Sequence, residues 1–219
     1  MKKIAVIGLS SFGLNIVKTL ANRKVEIIAI DKNRDKVNQV KDLATRAITT
    51  DATLKENLAA VGLADVDHAI VSAGPNLEPS IIIVLLLKEM GIDRIIAKAL
   101  SEEHQTILER VGASEVSFPE REVAQKIANR LIYDNMVDYI PLESGYVIEE
   151  MVVPDNFNGQ SLAQVDLRKK FNVTVLAIKS IIPEQTHPNP DGGFILKESD
   201  IMIVFGTEKD IHNLHQQTT

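Results

Sequence analysis

The chain contains no cysteine, which excludes disulfides, thiolate zinc sites and a cysteine nucleophile. It has no excess of positive charge either: 24 Lys and Arg face 30 Asp and Glu, giving a net charge of -6 and a pI near 5.4. Nucleic-acid binding draws its affinity from neutralising phosphates with basic side chains, so a broad nucleic-acid footprint is excluded. Long apolar runs are also missing. The longest, Ile81 to Leu87, is far short of the roughly 20 residues needed to cross a bilayer. The N-terminal apolar run stops at Gly8, too early for a secretory signal. Internal repeats and low-complexity tracts are absent. These absences lead to the expectation of a soluble protein whose membrane role, if it has one, comes through a partner. At 219 residues, 45% hydrophobic and 25% charged, the chain is long enough for two small domains with cores of their own.

The N-terminus carries the strongest pattern. Ile4 to Ile7 runs into Gly8-Leu9-Ser10-Ser11-Phe12-Gly13, and a second apolar run, Val25 to Ile30, ends on Asp31. Strand, glycine turn, helix and acid-capped strand form a dinucleotide-binding βαβ unit. The first glycine permits the tight turn and the last lets the helix pack on the strand, while the acid, about twenty residues on, accepts ribose hydroxyls. Ser10 stands where the middle glycine of that pattern usually lies.

Further strands are expected at Arg46–Thr49, Ala69–Val71, Arg94–Ala97 and Glu115–Phe118, each following a helical segment. Val37 and Val40 mark the inward side of an exposed helix over residues 33–42. Thr53 is a candidate cap for the helix ending at Gly62. Six βα repeats predict a Rossmann-like, doubly wound parallel sheet over residues 1–118. The helix from Leu77 to Met90 is apolar all round, which suits either complete burial or contact with another subunit; the second reading is preferred. Pro119 opens a long bridging helix, with a linker to residue 141. Residues 142–219 read as a small α+β domain with strands at Tyr146–Val153, Val173–Ile178 and Ile201–Phe205. A short helix is expected over Ser161–Lys170, a proline-rich excursion over Ile182–Gly193 and a closing helix over Glu208–His215.

Chemistry gathers at the carboxyl ends of the first domain's strands. Gly8, Ser10, Ser11 and Gly13 lie at a helix N-terminus that favours phosphate. Asp51 and Ala73-Gly74-Pro75-Asn76 end neighbouring strands on the same edge and should flank the adenine or ribose. Lys98 is either a solvated end-of-strand lysine or one that reaches a bound phosphate. Glu120 either favours the helix dipole or supplies an oxygen ligand to a hard cation. The five histidines carry no pattern: His104 lacks a partner acid in sequence, and His212 and His215 read as a solvated terminal helix. A small NAD(P)-dependent oxidoreductase is the alternative function, and a nucleotide-independent assembly module a third. A substrate site over the nicotinamide would, however, have to come from a second domain of only about seventy residues.

The order of motifs resembles the regulatory RCK proteins of Ktr and Trk potassium uptake systems, with a TrkA-N-type domain followed by a TrkA-C-type domain. It rests on Ile4 to Gly13, Asp31, Thr50-Asp51-Ala52-Thr53, Ser72 to Asn76, Ile96-Ala97-Lys98-Ala99, Val111-Gly112-Ala113, Phe118-Pro119-Glu120, Gly159-Gln160-Ser161-Leu162, Asp166-Leu167-Arg168 and Leu176-Ala177-Ile178-Lys179. The resemblance implies a non-enzymatic gating subunit, cytoplasmic and peripheral to the inner face of the cell membrane. It would be a homodimer within an octameric ring beneath a membrane potassium-transport subunit. ATP, ADP or NAD(H) would bind the first domain, with Phe12 beside the glycine turn, Asp31 and Lys32 at the ribose, Asp51 and Ala52 at the base, and Lys98 at the phosphates. Glu120 would help to hold Mg²⁺ or another cation near the terminal phosphate at the dimer interface. Many such subunits read Gly-Leu-Gly-Arg-Phe-Gly, with the arginine on the terminal phosphate; Ser10 and Ser11 depart from this. Cyclic di-AMP would bind between paired C-terminal domains through Arg168, with Thr174 and Pro188 beside it.

If the all-apolar helix faces a neighbouring subunit, Leu85→Glu should dissociate the assembly, as read by light scattering. A folded, full-size oligomer from that variant would remove the helix from the interface.

Overall fold

The computed structural model describes residues 1–218, and they divide into two compact units, Met1–Pro119 and the residues from Glu120 on. In the first, a six-stranded parallel sheet has the order β3-β2-β1-β4-β5-β6. Its strands are β1 (Lys2–Ile7), β2 (Val25–Asp31), β3 (Arg46–Thr49), β4 (His68–Val71), β5 (Ile95–Lys98) and β6 (Glu115–Ser117). Successive strand residues point to opposite faces, and both faces are covered. Ala5, Ile7, Ile28 and Ile30 enter one core, while Ile4, Val6, Ile27 and Ala29 enter the other. That is why these strands read as continuous apolar runs rather than alternating ones.

The connecting helices are α1 (Ser11–Ala21), α2 (Arg34–Asn38), α3 (Lys55–Val61), α4 (Leu77–Glu89) and α5 (Glu102–Val111). Two end on left-handed glycines, Gly62 and Gly112. Thr53 does not cap α3. The N-cap is Leu54, and Thr53 instead donates both its amide and its hydroxyl to Asp51 Oδ1, at 3.0 and 2.7 Å. The local Asx turn wins because the carboxylate accepts two bonds at once. The all-round apolarity of α4 is largely absorbed within the unit. Ile83, Val84 and Leu87 are buried in the sheet-side core, Ile81 and Leu86 pack against it, and α5 lies alongside; Leu85 stays open at 44% exposure.

Helix α6 (Pro119–Ile132), which belongs to the second unit from Glu120 on, leads into an antiparallel sheet of order β10-β9-β11-β8-β7. The strands are β7 (Met136–Pro141), β8 (Tyr146–Val152), β9 (Thr174–Ile181), β10 (Glu184–Pro188) and β11 (Ile201–Thr207). Two corrections arise at its edges. Residues 136–141, read as linker, form β7, and the proline-rich excursion contains β10. Both are edge strands ending on a proline, a position that needs no ladder N–H, so Pro141 and Pro188 end a strand without forbidding it. The expected helix over Ser161–Lys170 is two short ones, α7 (Leu162–Val165) and α8 (Leu167–Phe171), parted by Asp166 in the left-handed region at φ 51°. The last helix, α9 (Glu208–Thr218), packs on β11.

One histidine is part of the first core. His104 is fully buried; its Nδ1 accepts the Leu100 amide at 3.2 Å, and its Nε2 lies 3.0 Å from Ser80 Oγ. The Ser80 hydroxyl proton goes to the Leu77 carbonyl at 2.7 Å, so Nε2–H donates to Ser80 and the ring is neutral. Burial pushes the His104 pKa below its ordinary 6.5. The unfolded chain therefore binds more protons between the lowered folded value and 6.5. This contribution to stability is complete above 6.5 and declines as the pH falls towards the folded value. Urea midpoints should drop between about pH 7.5 and about pH 5.5 more steeply in the native protein than in His104→Gln. Equal slopes in both would remove His104 as the source.

Candidate functional site

The sheet order reverses at β1, which pairs in parallel with β2 on one side and β4 on the other. Open α/β sheets bind ligands in the crevice beyond the strand ends at such a switch point. The turn after β1 is built by two glycines. Gly8 has φ +90°, and a Cβ there would come within 2.4 Å of the Ser72 carbonyl oxygen; one on Gly13 would come within 2.2 Å of the Gly8 carbonyl. The first contact seats the turn against the end of β4, the second seats α1 against the turn. Ser10 needs no glycine, having φ -65° and ψ 176°. Its hydroxyl is hydrogen-bonded to that of Ser72, which is buried.

Asp31 ties this turn to the next strand. Its side chain is 10% exposed; Oδ2 accepts the Leu9 amide at 2.6 Å and Oδ1 the Asn33 amide at 2.8 Å, with Lys36 Nζ 3.9 Å away. Asp51 holds the neighbouring corner. The Thr53 hydroxyl, followed by the Thr53 amide, keeps the Asp51 carboxyl below the usual carboxylate range, so it is an ionised acceptor at neutral pH. Between them lies a cleft of about 260 Å³.

Of the residues expected at the site, Gly8, Asp31, Lys32, Asp51, Ala52, Ala73, Gly74 and Asn76 line this cleft. Ser10, Ser11, Phe12, Gly13 and Lys98 do not. Phe12 packs against the core on the other side of the sheet, Gly13 is buried under the turn, and Ser11 opens α1 with its side chain exposed. Lys98 ends β5, on the far side of β4 from β1. Sequence reading missed Asn33, Lys36, Pro79 and Ile83. The last two are one helical turn apart on α4, a spacing that places them on one face, but nothing in the sequence says that this face meets the cleft.

A larger cavity, about 470 Å³, lies in the second unit, among α6, β7, β8 and α9. Its polar groups engage one another. His215 and Glu149 are buried at 1% and 2% exposure, with Nε2 donating to Oε1 at 2.6 Å. Nδ1 of His215 lies 2.8 Å from Asn135 Oδ1, and Tyr133 stacks on the ring at 4.1 Å. Tyr139 donates to Glu208 at 3.0 Å; its phenol is pushed up to about 12, first by burial and then by that carboxylate. The reading of His215 as solvated is thus overturned: it joins α9 to β8. Periodicity had marked the helix face but could not reveal an acid 66 residues away.

Arg168 and Thr174 share a groove of about 310 Å³ with Asp166, Val175, Pro190 and Gly192. Pro188 is not part of it; it ends β10 in register with Ala177. Among the described residues, no group of three or more His, Asp or Glu could hold a metal ion.

Comparison with known proteins shows two family matches, the TrkA-N domain over residues 4–119 and the TrkA-C domain over residues 147–217. The Ktr system potassium uptake protein C of Bacillus subtilis (strain 168) is 34% identical over 216 residues, 99% of this chain and 97% of that protein. Among solved structures, the GsuK RCK domain superposes with a TM-score of 0.67 at 16% identity, covering 99% of this chain and 47% of that one. The GsuK channel bound to NAD gives 0.55 at 22% identity, over 100% and 38%. These structures share the fold.

Asp31 supports the turn with or without a ligand. Asp31→Ala should lower the unfolding free energy of ligand-free protein by about 1.5–3 kcal/mol, the worth of hydrogen bonds to a charged group. Urea unfolding checks this, and an unchanged midpoint would deny Asp31 the structural role.

Proposed function

This chain belongs to the TrkA family of potassium-uptake proteins, and from that premise we propose that the cleft beyond β1, β2 and β4 is an adenine-nucleotide sensor controlling a membrane potassium transporter. The protein is a regulatory subunit of potassium transport and not an enzyme. Among the described residues no helix is long and apolar enough to cross a membrane, and the transporter is the subunit through which it acts there.

The observation that carries the ligand reading is the pair of carboxylates, Asp31 and Asp51, at the ends of adjacent strands on either side of one cleft. Asp31 has lone pairs left for ribose hydroxyls after accepting the Leu9 and Asn33 amides. Asp51 keeps Oδ2 for a base amine while Oδ1 holds Thr53. Ile7, Ile30, Pro79 and Ile83 supply apolar walls for a flat base, and Ala73 to Asn76 border it. ATP, ADP and NAD(H) are the candidate ligands. A cation such as Mg²⁺ beside Glu120 would have to draw further oxygen ligands from a second subunit or from the nucleotide phosphates.

Regulation then requires assembly. A nucleotide shifts the transporter only by its differential affinity for two arrangements of the assembled subunits. We take the unit of assembly to be a homodimer within an octameric ring. In the second unit, the groove holding Arg168 and Thr174 is the place for cyclic di-AMP, with the guanidinium available to a phosphate.

Calorimetric titration of the purified protein with ATP, ADP, NADH and cyclic di-AMP tests this function. At least one adenine nucleotide should bind, and Asp31→Ala should weaken it by about tenfold or more. Arg168→Ala should abolish cyclic di-AMP binding and leave nucleotide binding unchanged. No binding by any of the four would leave only an assembly module.

A further inference from the structure

We propose that the cleft reads the adenosine end of its ligand and is indifferent to the number of phosphates beyond the first. AMP, ADP and ATP would then compete for it on nearly equal terms. The inference rests on the nucleotide reading of the cleft and concerns what that site distinguishes.

The enclosed part of the site draws no residue from Ser10 to Gly13. Its charged side chains are Asp31 at the end of β2, Lys32 next to it, Lys36 in α2 and Asp51 after β3, all on the side of the cleft given to the ribose and base. A ligand whose ribose meets Asp31 must therefore carry its phosphates out of the enclosure, along the glycine turn towards the first turn of α1. That path holds little that could count phosphates. The Leu9 amide is engaged by Asp31, and the Ser10 hydroxyl by Ser72. Ser11 is exposed and brings a hydroxyl without a charge. From Gly8 to Val17, and again from Ser72 to Asn76, the chain has no Lys or Arg.

What remains is the N-terminal end of α1, a helix of 11 residues with no acid in its first turn. Its amides and dipole favour one phosphate, and the effect fades within a turn. Later phosphates extend into solvent beside a chain of net charge -6, where salt screens whatever charge lies further off. Each added phosphate thus brings negative charge with no matching cation in the turn.

Calorimetry on the full chain with adenosine, AMP, ADP and ATP, with and without Mg²⁺, tests this. The three nucleotides should bind with Kd values within about threefold of one another, and adenosine more weakly. Ser11→Arg should install a preference for ATP over AMP of about tenfold or more, because the guanidinium would stand at the head of α1. Ser11→Gln, neutral but long, should keep the flat series. An affinity rising about tenfold per phosphate in the native protein would overturn the inference while leaving the nucleotide reading intact. A flat series in Ser11→Arg would overturn the role given to the missing charge. Failure of all four compounds to bind would remove the nucleotide reading itself, and this inference with it.

Discussion

The contact between Gly8 and the Ser72 carbonyl leaves no room for a single extra carbon, and the first unit's site is arranged around it. Because the turn can lie against the end of β4, α1 can start immediately beyond it, with Gly13 pressed on the Gly8 carbonyl. Asp31 then clamps the turn from the other side through the Leu9 amide. The same carboxylate that borders the cleft also holds the cleft's floor in shape. Cleft lining and loop order are in this way carried by one side chain. Removing the charge from a partly buried carboxylate that accepts two amides leaves those donors unsatisfied, which is why the loop and the cleft stand or fall together.

A regulator needs a site whose occupation is felt elsewhere. The cleft is bordered by segments that begin α2, α3 and α4, so a ligand touching Asn33, Thr53 and Pro79 touches three helix starts at once. Helix α4 is itself fastened to α5 by the buried Ser80–His104 pair. The mouth of the cleft is thus bordered by the starts of packed helices rather than by a loose loop. Dense interiors do not deform gradually, which is the general physical basis for switching between discrete packings.

The second unit rests on a different device. Its sheet has two open edges, each ending on a proline, and one covered face crossed by α7, α8 and α9. Within that face the Glu149–His215 pair is buried almost completely, with Asn135 and Tyr133 around the imidazole. Such a pair does little for net stability over a well-packed apolar core, yet losing one partner deprives the other's buried polar atom of this hydrogen bond. Its position joins the last helix to β8 and to the segment after α6, which fixes the register of the closing helix on the sheet.

The parallel sheet was legible in the chain because its central strands β1, β2 and β4 are buried on both faces, so each carries an uninterrupted apolar run between turn residues. The glycine turn was legible for a related reason, since only glycine tolerates the contacts at positions 8 and 13. Edge strands β7 and β10 were not, because half-exposed strands with terminal prolines look like linkers. Nor were the partners of buried polar groups. His104 meets Ser80, and His215 meets Glu149, across 24 and 66 residues of sequence. Local periodicity carries no information on such pairings. What the sequence determined by itself was the two-part architecture and the strand-end location of the cleft, both set by local patterns of apolar and turn residues. Only the tertiary structure decided which side chains face that cleft: Asn33, Lys36, Pro79 and Ile83 enter it, whereas Ser10 to Gly13 and Lys98 do not. The reason is physical. Facing depends on how separate strands and helices are brought together, and that is fixed by packing between distant segments.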